Sequence, residues 1–143
     1  MFNRRYLVLL LIAASACGTS PSAPAPTASV AGGHGGLFTY FRLDLRTEPV
    51  SDPFGMTLTQ SGSSVSGTWF SGGVSNASGT VTGTTTSTTF SGTFTWNSNA
   101  GACTGTLSVS GPAGQTTFSW TGPGVIGNCA NLPTNVSFDV FNR

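Results

Sequence analysis

The chain has 143 residues, carries five Lys or Arg side chains against four Asp or Glu, and only 6% of it is charged. That length serves one domain of modest core and leaves no room for several. A near-neutral chain without a single lysine lacks the basic patch that phosphate neutralisation requires, so nucleic acid is not expected as a partner.

The first element is a targeting segment. Asn3-Arg4-Arg5 precedes an apolar run from Tyr6 to Ala14, which falls short of the roughly 20 residues that span a bilayer. The segment closes on Ala14-Ser15-Ala16-Cys17, which resembles the lipobox of bacterial lipoproteins. That resemblance implies that residues 1–16 are a signal peptide and that Cys17 becomes the lipid-bearing first residue. Several acyl chains, each buried CH₂ contributing about 0.8 kcal/mol, would then hold the protein on a membrane without a transmembrane helix. The resemblance also places a protein with Gly18 rather than Asp after the cysteine at the outer membrane of a cell that has two.

Residues 17–36 are Ser, Pro, Ala and Gly with few large side chains, so they read as a lipidated flexible linker. The only histidine, His34, falls within it. Past the signal, Arg42, Arg46 and Arg143 oppose Asp44, Glu48, Asp52 and Asp139, giving 3 − 4 = −1. Solubility must come from Ser, Thr and Asn.

Residues 37–143 alternate apolar and hydroxyl side chains between turn residues, with no helical spacing. Eight strands are predicted at about 37–46, 54–60, 63–70, 78–85, 87–96, 103–110, 115–121 and 135–142. Alternation puts Phe41, Leu43 and Leu45 of the first strand on the apolar face. Met56, Leu58, Val65, Trp69, Val81, Phe90, Phe94, Trp96, Leu107, Val109, Phe118, Trp120, Val136, Phe138 and Val140 join them. The opposite face is mostly Thr and Ser, a polarity opposite to that of a membrane-spanning barrel. Gly67, Gly83, Gly92 and Gly105 recur on the apolar face, where they allow coiling and make room for rings. The predicted fold is therefore all-β, an eight-stranded antiparallel up-and-down barrel whose closure removes exposed edges. Closure sets strand one beside strand eight, where Arg42, Asp44 and Arg46 would face Asp139.

Following strand direction, brief connections gather at one end and longer ones, over 47–53, 71–77, 97–102 and 122–134, at the other. Trp69, Trp96 and Trp120 each close an odd-numbered strand, so one aromatic layer is expected at the long-loop end. Cys103 and Cys129 also map there, and in an exported protein they should be oxidised to each other. With Phe94, the tryptophans are the candidate ligand-binding residues for a small apolar or flat molecule; the competing expectation is a barrel plugged by its own side chains.

Catalysis has little to use. No nucleophile, base and acid arrangement is visible, Glu48 and Asp52 are too few for calcium, and neither metal nor cofactor is expected. The segments Val65-Ser66-Gly67-Thr68-Trp69 and Ser78-Gly79-Thr80-Val81-Thr82-Gly83-Thr84 resemble strands of avidin-type barrels and of uncharacterised bacterial lipoproteins. Phe70-Ser71-Gly72 departs from the avidin continuation, so no biotin-pocket residue carries over. Two functional expectations result. One is a non-catalytic, membrane-anchored envelope or surface-interaction protein acting through its long loops. The alternative is a lipocalin-like barrel, in the broad sense, with a Trp-lined pocket.

Overall fold

The computed structural model describes residues 25–42, 48–98, 103–128 and 132–141. Period-two alternation appears as eight strands: β1 Gly32–Phe41, β2 Val50–Ser61, β3 Ser64–Ser71, β4 Ala77–Thr85, β5 Thr89–Ser98, β6 Cys103–Pro112, β7 Thr117–Gly127 and β8 Thr134–Phe141. Each pairs antiparallel with the next and β8 returns to β1, which closes an up-and-down barrel. The expected fold class is the one the chain adopts. Val81, Phe90, Phe94, Leu107, Trp120 and Phe138 are fully enclosed, so the core is the barrel's own interior.

The first strand departs from expectation. β1 begins at Gly32 and its inward side chains are Phe38 and Tyr40, both wholly buried, while Phe41 is only half-buried. Leu43, Asp44, Leu45 and Arg46 lie outside the described residues. Glycines conceal the strand in the sequence because they have no side chain to alternate. Gly36 nevertheless pairs with both Phe54 and Val140, and a Cβ there would strike the Asp139 carbonyl. The seam register also changes, for Asp139 lies opposite Leu37 and accepts a hydrogen bond from Ser137 Oγ at 2.8 Å.

Part of the expected linker is built into the barrel. Ala28 N–H donates to the Thr86 carbonyl at 2.8 Å, and Val30, 2% exposed, donates its N–H to Gln60 Oε1 at 2.9 Å. His34 belongs to β1, not to a tether. Its ring meets Phe118 edge-on at 5.7 Å, and Nε2 donates to the Val30 carbonyl at 2.8 Å. Residues 26–31 thus form a strap across one end of the barrel.

Residues 62–63, 86–88 and 113–116 make the connections at the strap end, and 72–76 lies at the other, where the remaining connections include residues outside the described ones. Of the expected long connections, 47–53 ends earlier, because β2 begins at Val50, and 122–134 is shortened, because β7 runs to Gly127. β7 is longer than the predicted 115–121 because Gly122-Pro123-Gly124, which reads as a turn, lies within the strand. One extra β7 residue between the Leu107–Val125 and Ser110–Thr121 pairs makes a bulge, a position that tolerates proline.

Candidate functional site

The inward positions of β1, β3, β5, β7 and β8 bring the aromatic side chains together. Trp69 and Trp96 lie with ring centroids 5.6 Å apart, and Trp69 meets Phe94 at 5.8 Å and Phe138 at 5.6 Å. Phe94 stacks on Phe138 at 4.8 Å, and Phe138 on Phe38 at 4.6 Å. The indole N–H of Trp69 donates to the Thr95 carbonyl at 2.9 Å, so this buried polar group is satisfied.

Trp120 does not join that layer. It stacks on Phe90 at 4.0 Å, contacts Phe118 at 4.7 Å, and donates its N–H to the Pro112 carbonyl at 2.8 Å near the strap end. The expected single tryptophan layer is therefore corrected to two. Since β7 continues to Gly127, Trp120 falls near its beginning rather than its finish. Phe94 bridges the layers, its centroid 6.5 Å from that of Trp120. None of the four candidate ligand-binding residues is more than 3% exposed. They meet one another edge-on or tilted, at interplanar angles of 43° to 76°, an arrangement that packs rings from layer to layer.

A polar cluster at the long-loop end escaped the sequence reading. Asp52, expected beside Glu48 in a loop, instead points inward from β2 and is 3% exposed, whereas Glu48 lies exposed before the strand. Tyr40 Oη donates to Asp52 Oδ2 at 2.9 Å; the N–H groups of Val74 and Ser75 donate to the same carboxylate at 3.0 and 2.7 Å. Ser71 and Ser75 hydroxyls meet at 2.6 Å beside it. Gly73, at φ +61°, passes so close that a Cβ would strike Asp52 Oδ1.

Burial alone would push the Asp52 carboxyl up, but the hydrogen bonds from Ser75, Tyr40 and Val74 outweigh it and hold the group below its ordinary value. Burial, then the hydrogen bond to Asp52 and its negative charge, push the Tyr40 phenol well above its usual range. A carboxylate engaged this way fastens the 72–76 loop and has little left to offer a cation. The cluster was hidden because the first strand was displaced in the sequence reading: Phe38 is the residue opposite Asp52, and Tyr40 follows it on the same face.

Among the described residues, no group of three His, Cys, Asp or Glu side chains could hold a metal ion. Cys103 opens β6 opposite Ser98 at the long-loop end. Cys129, its expected partner, lies outside the described residues, as does the candidate lipidation residue Cys17. On the outer face, hydroxyls stand in register across strands, as in Thr82, Thr93 and Ser108 or Thr84, Ser91 and Ser110.

Compared with protein-family models, curated proteins and solved structures, the chain matches none of them.

Proposed function

We propose that the chain is a bacterial envelope lipoprotein, anchored through Cys17 at the outer membrane where a second membrane exists, whose barrel is a non-catalytic surface-interaction module. The observation that carries this reading is the filled interior: Trp69, Phe94, Trp96 and Trp120 pack against each other and neighbouring rings, so an external partner meets the loops and outer face. The Ala14-Ser15-Ala16-Cys17 segment supports the anchor. The mutual burial of the same rings counts against the alternative of a Trp-lined ligand pocket.

The anchor is tested by feeding a bacterial expression host an alkyne-bearing fatty acid. Wild-type protein should take up the label and Cys17→Ser should not; an unlabelled wild-type chain, processed at another position, would overturn it. A Cys103–Cys129 disulfide belongs to the same exported reading. Closing that loop contributes about 3 to 4 kcal/mol in the chain-entropy account. Urea unfolding with and without reductant should differ by about that amount in the wild type and not at all in a variant lacking both cysteines.

A further inference from the structure

The outside of the barrel has two unlike sides. Every outward position on β4, on β5, and on β6 from Thr104 to Ser110 is Ser, Thr or Asn. Across β8, β1, β2 and β3 the register instead aligns Phe141, Gly35, Gly55 and Phe70, with Leu37 and Pro53 paired next to them. Phe70 is 62% exposed, Phe141 49% and Leu37 42%. The Phe70 ring leans across Gly55, where a Cβ would lie 2.7 Å from two of its carbons. Gly33, His34, Gly35, Pro53, Gly55 and Phe70 line the resulting shallow trough, and the carboxylate at its rim is Asp139, half-buried opposite Leu37 and held by the Ser137 hydroxyl at 2.8 Å. Single exposed apolar residues are ordinary, but a contiguous patch marks an interaction surface.

The chain ahead of the barrel indicates the occupant. From Cys17 to Ala28, whose N–H is fixed on Thr86, there are 28 − 17 = 11 residues. At roughly 3.3 to 3.6 Å per residue they reach at most about 40 Å, while the ten residues of β1 measure about 33 Å. A barrel held at Cys17 therefore has its whole flank within reach of the bilayer. β1, the strand that this leash becomes, itself carries Gly33, Gly35 and Leu37. With three arginines against four carboxylates past the signal and no lysine, the chain has no net positive charge to draw it to an anionic bilayer, so adhesion to lipid rests on apolar contact.

We propose that the β8–β1–β2–β3 flank is a membrane-docking surface, on which the barrel lies with Phe70 and Leu37 entering the headgroup boundary of the bilayer. This deepens the anchored reading and rests on it for the presence of the membrane. The hydroxyl side then faces outward.

The test holds the chain from Gly18 onward, tagged with histidines at its N-terminus, on phosphatidylcholine vesicles containing a nickel-chelating lipid. Hydroxyl-radical labelling of its side chains is compared with that of the free protein. Labelling of Phe70 and Leu37 should fall by about three-fold or more on vesicles, equally at low salt and at about 1 M salt, as apolar insertion requires. Ile126, 77% exposed on β7, should keep its rate. Phe70→Ser, a change at an exposed position, should return Leu37 labelling towards the free value. Unchanged Phe70 labelling on vesicles overturns the proposal. So does equal protection without vesicles at rising protein concentration, which would assign the patch to a second copy. Because the chelating lipid replaces the natural anchor, failure here is distinct from failure of fatty-acid labelling at Cys17.

Discussion

Gly83 and Gly92 face each other across β4 and β5, and the Phe90 ring occupies the space that their side chains would need. A Cβ on Gly92 would overlap Phe90 Cζ and come 2.9 Å from the Thr82 carbonyl. Gly92→Ala should therefore lower stability by about 1 to 3 kcal/mol, the range for overpacking a filled core, as read from urea unfolding. Asp52 is the other residue on which much depends. Asp52→Asn keeps the shape but replaces a charged acceptor and turns an N–H₂ group towards existing donors; a loss of about 1.5 to 3 kcal/mol is expected. The pH profile follows from the two shifts. Folding lowers the Asp52 pKa, so its contribution is complete above the ordinary carboxylate value near 4 and declines as pH falls through the lower folded value. Folding raises the Tyr40 pKa, so its contribution is complete below about pH 10 and is lost as pH rises towards the folded value. Stability measured against pH should fall off on both sides, and Asp52→Asn should remove this residue's part of the acid limb. An unaltered acid limb in that variant would show that other groups carry it.

At the scale of elements, the strap is the least expected piece and the easiest to test. Gln60 receives the Val30 N–H at 2.9 Å and points its amide nitrogen at the carbonyls of Ala28 and Gly62, 3.0 and 2.9 Å away. Gln60→Ala should lower stability by about 1 to 3 kcal/mol, since buried strap groups lose their partner, and should speed amide exchange at Val30. Unaltered exchange there would contradict a strap fastened through Gln60. Strands β3 to β6 are legible in the sequence because Val, Phe, Trp, Leu or Gly alternates with Thr and Ser along most of their length. The strap and the start of β1 were not, because Ala, Ser and Gly carry no periodic signal and their placement depends on distant residues such as Gln60 and Asp139. The β7 extension was hidden by Gly122-Pro123-Gly124, local turn chemistry that the bulge absorbs. Those two misplacements account for what was missed at the site: the first concealed the Tyr40–Asp52 cluster, and the second put Trp120 at the wrong end.

For the whole molecule, the interior and the exterior have exchanged the roles expected of a ligand-carrying barrel. Aromatic rings fill the inside in two layers joined by Phe94, while the outside divides between hydroxyl ranks and the Phe70 flank. Eight strands enclose an interior that side chains are able to fill, and here large rings occupy the space that inward glycines such as Gly83 and Gly92 leave open. The proposed surface-interaction role rests on this packing, which leaves the loops and the outer face for a partner to meet. Acrylamide quenching of tryptophan fluorescence in the native protein tests that claim most directly. With Trp69, Trp96 and Trp120 at 2%, 3% and 0% exposure, quenching should stay near the level of a buried indole until urea unfolds the chain, and flat apolar probes should leave the emission unchanged. Strong quenching in the folded state, or a saturable emission change on adding such a probe, would contradict the filled barrel and restore the pocket.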